Sequence, residues 1–400
     1  LISISGERLT LAALYGLLLQ HTGSFAQRGQ SSLVLWMLGM AQLLPVLMFS
    51  PFAGAWVDRR NLKRVMVVSD TLRALLVVLV PACYLATHSV WPVNLLVFLL
   101  FTCNVVFLPA KSAITPEIVP PDQLLLANAL LAGAGVAGTV VAVVGGWVVD
   151  HWGWAPALYI NGVTYLVSVV SLLLIRYRPV AHAAAQEQRV SARGYLHEVA
   201  EGWRLVRSTP ALVLALTALG AVWAGGGVAH VTATQHIARA AGALAGTERM
   251  MALMAVVGVG SALGIWWLNA RGRHYPRHAV LAVGLVLAAS GLACFAVSTR
   301  FAVFAAAALL IGLGAAPAFV LPETMLQQGT GTRQRGRVFS ARDFLMRLLL
   351  LGGQTMAGIA TPLIGTRSTL LLAAGFIVVA ALGALWLGRR ASAPGTPATA

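Results

Sequence analysis

GAWVDRRNLKR, residues 54–64, places five charged side chains between two long apolar runs. Upstream, LVLWMLGMAQLLPVLMFSPF (33–52) carries no charge, and downstream residues 65–86 carry only Asp70 and Arg73. A helix exposed to lipid needs about 20 consecutive apolar residues. A charged hairpin between two such runs therefore reads as a turn at a membrane surface.

The rest of the chain repeats the pattern. Charged residues make up 10% of its 400 residues and apolar ones 58%, whereas a soluble domain carries about 25% charged residues. Mean hydropathy is +0.81, and the charges are too few to cover a water-soluble exterior. Apolar windows fall at roughly 1–21, 32–55, 65–86, 91–113, 124–149, 155–175, 209–232, 247–269, 278–297, 301–321, 341–362 and 367–388. No window alternates as a barrel strand would. An all-α membrane protein with twelve transmembrane helices is expected. The first window begins without methionine and is interrupted by Glu7 and Arg8. It lacks the basic lead and cleavage site of a signal peptide, and reads as a transmembrane helix truncated at its start.

A net charge of +16 points to nucleic acid in a soluble protein. Here the distribution gives another reason. With the amino end cytoplasmic, most of the 28 Lys and Arg residues fall in inner loops, and outer loops hold only Arg28, Arg239, Arg249, Arg300 and Arg367. That is the positive-inside asymmetry, and it puts both termini in the cytoplasm. No nucleic-acid partner is expected. Cys83, Cys103 and Cys294 form no C-x-x-C pair, and the nine histidines are scattered along the chain, so neither a metal nor a cofactor is expected.

The longest polar segment, 176–208, divides the windows six and six. The expected organisation is a bundle over 1–178, a cytoplasmic linker over 179–207, a second bundle over 208–390 and a disordered tail over 391–400. In the linker Tyr195, Val199, Trp203 and Val206 recur at helical spacing. That fits an amphipathic helix at the membrane surface, or equally a plain tether.

The hairpin itself resembles the signature G-x-x-x-D-R-x-G-x-[RK]-[RK] of the major facilitator superfamily, through Gly54, Asp58, Arg59, Lys63 and Arg64. Asn61 stands where the second glycine would be, and asparagine tolerates a left-handed backbone. The resemblance implies two pseudo-symmetric six-helix bundles, with this loop as a cytoplasmic latch between them; a basic loop that merely sets topology is the plainer reading. LPAKSAITPEIVPPDQLLLANAL (108–130) and RGRVFSARDFLMRL (335–348) look like the branch containing macrolide-efflux proteins and the enterobactin exporter. Gly6-Glu7 in the first helix also resembles bacterial lysophospholipid transporters. The fourth window lacks the buried arginine, and the fifth the glycine-proline pattern, of many proton antiporters.

Charges within membrane spans default to function because their burial costs about 2.5–3.5 kcal/mol at the bilayer centre. Glu7, Arg8, Asp70 and Arg73 are candidates for proton or cation coupling, with Glu7 foremost. Asp70 and Arg73, three apart, share a helix face and fit a structural ion pair as well. Lys111, Glu117, Glu323, Arg337 and Asp343 are candidate gate residues. Trp36, Met40, Gln42, Asn128, Asn161, Trp223 and Gln354 are candidate lining for a mid-membrane cavity, though lipid-facing packing is the better account of each apolar one taken singly.

The resemblance implies a monomeric exporter in a bacterial-type inner membrane, working by alternating access on amphipathic small molecules, with protons as a candidate coupling ion. A cavity with few fixed charges suits amphipathic cargo better than sugars. Lysophospholipid transport is the alternative. A membrane-embedded enzyme or a non-transporting scaffold is the rival of another class. The chain has no H-E-x-x-H, no G-x-S-x-G and no glycine-rich phosphate loop.

Overall fold

The computed structural model describes residues 2–26, 31–57, 60–120, 123, 138, 140–177, 200–201, 203–204, 206–241, 246–328 and 332–391. Among them no strand forms. The helices are α1 (Ile2–Ala26), α2 (Ser31–Val57), α3 (Leu62–Thr87), α4 (Val90–Ile118), α5 (Val140–Trp152), α6 (Trp154–Leu174), α7 (Pro210–Ala241), α8 (Gly246–Ala270), α9 (Arg277–Val297) and α10 (Phe301–Gln328). A last helical run covers Thr332–Ala391. It is broken at Gly365, whose φ of 83° suits a residue without Cβ. The apolar part of this run, Ala341–Arg389, has 49 residues, about 73 Å at 1.5 Å per residue, or roughly two bilayer cores. It therefore contributes two helices, α11 (332–364) and α12 (366–391), which brings the helices named among the described residues to twelve.

Nine of these described elements are long and apolar enough to cross a membrane, α11 and α12 counted together. Several helices outrun their apolar windows. α4 continues to Ile118 and α11 begins at Thr332, well outside 91–113 and 341–362. Backbone hydrogen bonds continue a helix into the headgroup region, where hydropathy no longer marks it. Polarity is inverted relative to a soluble fold: Leu174 is 78% and Leu363 77% exposed, as lipid-facing leucines can be, while Asp70, Arg73, Asn161 and Thr232 are wholly buried.

Two compact units form. One comprises 1–28, 37–195 and 242–252, the other 29–36, 196–241 and 253–400. In the first, α3 packs on α4 and α6, and α1 on α6, over a cluster of Val57, Leu62, Met66, Phe107, Ile114 and Leu172. In the second, α9 packs on α10 and on the 332–391 run, which also holds α7. Its cluster includes Leu212, Leu216, Leu326, Val338 and Met346. Residues 31–36 of α2 and 246–252 of α8 each group with the unit to which the rest of their helix does not belong.

Candidate functional site

The densest chemistry in the first unit surrounds Arg73, which is completely buried midway along α3. One turn earlier on the same face, Asp70 Oδ1 accepts from Arg73 Nη1 at 2.9 Å, the i,i+3 reach that helical geometry provides. Asp70 Oδ2 accepts from Ser168 Oγ on α6 at 2.6 Å. Arg73 Nη2 donates to Tyr165 Oη at 3.1 Å and to Glu7 Oε1 on α1. The guanidinium also lies over the rings of Tyr165 and Phe107, 4.5 and 5.2 Å from their centroids. Three helices are thus tied through one cation by two carboxylates. Their formal sum is −1, and only Glu7, with a side chain 29% exposed, reaches beyond the protein interior.

Gly6 makes that tie possible. A Cβ there would fall 2.1 Å from Asn161 Oδ1 and 2.3 Å from Thr164 Oγ1, so only glycine lets α1 approach α6 this closely. Asn161 is buried, donates to Thr10 on α1 and accepts from Thr164. It acts as a bond between helices. Arg8, next along the chain from Glu7, is exposed, and 100° of helical rotation turns it away from Arg73.

In the hairpin, Asp58 and Arg59 lie outside the described residues, and Gly54 lies in the last turns of α2. Asn61 departs from the expected left-handed turn: its φ is −67° and it caps α3, its side chain accepting from Arg64 N–H at 3.0 Å. Asparagine at this position serves as an N-cap, and the left-handed state is unnecessary. Lys63 Nζ donates to the carbonyls of Leu173 and Ile175, both at 2.8 Å, satisfying free acceptors at the C-terminus of α6 where a cation also complements the helix dipole. Arg64 is exposed.

The gate candidates belong to both units. Glu117 on α4 accepts from Tyr177 Oη at 2.6 Å. Partial burial first, and then the bonded Glu117 carboxylate, push that phenol up to about 12, so it remains a donor. Lys111 is half-buried on α4. In the second unit, Glu323 of α10 and Asp343 of α11 share Arg342. Its Nη1 donates to Glu323, and its Nη2 donates to Asp343 at 2.6 Å. The Arg337 side chain and Asn128 lie outside what is described.

The cavity candidates fall in both units. Met40, Gln42 and Asn161 belong to the first; Trp36, Trp223 and Gln354 belong to the second. Trp36 Nε1 donates to Thr355 Oγ1 at 3.0 Å, which makes it a packing contact of α11. Gln42 Nε2 and Gln354 Oε1 are buried without a protein partner, as expected of groups kept for something else or for water.

Sequence reasoning passed over Asp150. At the end of α5, its Oδ2 accepts from the backbone N–H of Glu248, 2.8 Å away, at the start of α8. A carboxylate at a helix N-terminus is favoured by the unpaired donors there. One turn earlier, a Cβ on Gly146 would lie 2.8 Å from Glu248 Cα, so this glycine sets the closeness of the two helices. The only signal was an acid at the end of a glycine-rich span.

Comparison with known proteins completes the picture. The model of the Major Facilitator Superfamily matches residues 2–274. The chain is similar to the multidrug efflux pump Tap of Mycolicibacterium fortuitum, 26% identical over 52% of this chain and 50% of the pump. It is also similar to the lysophospholipid transporter LplT of Serratia proteamaculans, 25% identical over 88% of this chain and 86% of that protein. The chain thus spans about half the length of some curated relatives it matches and most of others. Among solved structures, a bacterial homolog of the human lysosomal transporter Spinster, in an inward-facing and occupied conformation, superposes with a TM-score of 0.70 over 97% of this chain and 96% of that one, at 15% identity.

Proposed function

This chain belongs to the Major Facilitator Superfamily, and we propose that it is a secondary active transporter exporting amphipathic small molecules by alternating access, coupled to protons. The observation that carries the coupling is the Arg73 cluster. Asp70 and Arg73 are sealed, whereas the Glu7 carboxylate is part-exposed and bonded to Arg73 across two helices. Protonating Glu7 brings the cluster from −1 to neutral and removes the charge that holds Arg73 Nη2 to α1. The tie between α1 and α3 loosens, and releasing the proton restores it. Asp70, held by Ser168 as well, stays as Arg73's permanent counter-ion.

In this reading residues 1–178 and 208–390 are the two moving halves, and residues 54–64 fasten them on the cytoplasmic side of a bacterial-type inner membrane with both termini cytoplasmic. Lysophospholipid movement is a second reading. It is favoured by Gly6-Glu7 and by an alignment covering 86% of a lysophospholipid transporter.

The test is flux in proteoliposomes under an imposed pH gradient, with a macrolide and a fluorescent lysophospholipid as alternative cargoes. Native protein should show gradient-dependent efflux of one of them, and Glu7→Gln should retain flux but lose the gradient dependence. Equal gradient dependence in native protein and variant removes Glu7 from coupling. Absence of flux for both cargoes removes the exporter reading.

A further inference from the structure

The second unit contains a cavity of about 320 Å³ lined by Leu219, Trp223, Phe319, Glu323, Arg342, Asp343, Met346 and Arg347. Its two arginines differ in their bonding. Arg342 is saturated: Glu323 and Asp343 take its Nη1, Nη2 and Nε, and its guanidinium covers Phe339 at 5.1 Å. Arg347 has no such carboxylate among the described residues, and its Nη1 is buried without a hydrogen-bond partner. It sits six residues inside the apolar stretch that begins at Ala341, about 9 Å deep along the helix. The residue is half-buried, and a guanidinium nitrogen buried at that depth without an acceptor is unfavourable. It is compatible with a stable fold where the missing acceptor arrives with a ligand.

The rest of the lining is apolar. Trp223 and Phe319 meet edge-to-face with centroids 6.3 Å apart, and Leu219 and Met346 complete it. Glu323 and Asp343 are both engaged by Arg342, and among the described residues neither accepts a hydrogen bond from Arg347.

We infer that this cavity is a binding subsite for an acidic amphiphile, a molecule with a carboxylate or phosphate on an apolar body, the acid accepting from Arg347 and the body packing against Trp223 and Phe319. The volume suits a headgroup or a small fused-ring acid, because drug-sized pockets begin at about 300 Å³. The inference deepens the export reading by assigning a cargo class, and it rests on that reading only for the step from binding to transport. The acid has two natural sources, a lipid with a phosphate headgroup and a soluble aromatic carboxylate, which share this chemistry.

Binding separates the two claims. Purified protein in neutral detergent is titrated with lysophosphatidic acid and with 2-naphthoate, following tryptophan fluorescence. Monoacylglycerol and 2-naphthol serve as uncharged counterparts. At least one acidic probe should bind at least tenfold tighter than its uncharged counterpart. Arg347→Gln should weaken that probe about ten- to a hundredfold, the loss of one charge-assisted hydrogen bond, without affecting the counterpart. Arg347→Lys, which keeps the charge but not the fork, should fall between, and it guards against a folding defect in the first variant. Preference for lysophosphatidic acid assigns the lipid source, and preference for naphthoate the soluble one. Equal binding of acidic and uncharged probes, or undiminished acid binding by Arg347→Gln, overturns the subsite. Acid binding that depends on Arg347 in a protein without flux keeps the subsite and overturns the export reading instead.

Discussion

Asp70→Asn should destabilise the protein far more than Glu7→Gln, although both remove one carboxylate charge from Arg73. The difference follows from burial. Asp70 and Arg73 are wholly inaccessible, whereas the Glu7 side chain is 29% exposed. Removing one partner of a buried ion pair costs about 3–5 kcal/mol because the other charge is left uncompensated. Asn can still accept from Arg73, and Glu7 remains, so Asp70→Asn belongs at about 3 kcal/mol. Glu7→Gln leaves Arg73 its buried partner and gives up a contact weakened by solvent, roughly 1 kcal/mol. Arg73→Gln strands Asp70 and lies near the top of the range, about 4–5 kcal/mol. The double variant Asp70→Asn with Arg73→Gln removes both buried charges together and should be less damaging than Arg73→Gln alone. Apparent melting temperatures of detergent-purified variants give the order, with each kcal/mol worth about 2–4 °C in a unit of this size. Two outcomes refute the reasoning: Glu7→Gln as damaging as Asp70→Asn, or a double variant below Arg73→Gln.

Lys63→Met should expose the last carbonyls of α6 and cost about 1 kcal/mol, with hydrogen exchange rising at the amides around 172–175 and nowhere in α8–α12. Gly146→Ala should force α5 and α8 apart, since its new Cβ cannot sit 2.8 Å from Glu248 Cα. A cysteine placed at Thr247, 1% exposed in the native fold, should then label several-fold faster with an impermeant maleimide in a variant without Cys83, Cys103 and Cys294. Gly6→Ala should disturb the contact between α1 and Asn161 and abolish pH-gradient dependence together with stability. Gradient dependence retained in Gly6→Ala would show that the approach of α1 to α6 is dispensable for coupling.

The pairing of Asp70 with Arg73 was legible in the sequence, because a spacing of three on a helix fixes it locally. The same is true of the neighbourhood of Glu323 and Asp343, since Pro322-Glu323 ends one span and Asp343 opens the next. The partner common to those two acids, Arg342, was not legible, because Arg337, Arg342 and Arg347 are spaced alike in a helix and only packing chooses among them. Glu7 and Arg8 both interrupt the first apolar window, and the sequence does not say which of them meets a partner. One turned to Arg73 and the other outward, a difference set by how α1 docks on α6 at Gly6. Asn61 was read as a turn residue and proved to be a cap, a distinction carried by one backbone angle.

Hydropathy by itself determined that this chain spans a membrane with twelve helices, because lipid imposes the same length and apolarity on every crossing. The charged hairpin at 54–64 added the family. Tertiary packing alone decided which charges meet. Glu7 lies 66 residues from Arg73, and Asp150 lies 98 from Glu248; no local periodicity reports a contact that depends on how closely two helices approach. It also left Arg347 Nη1 buried without an acceptor, a property of the cavity around it and of no sequence pattern.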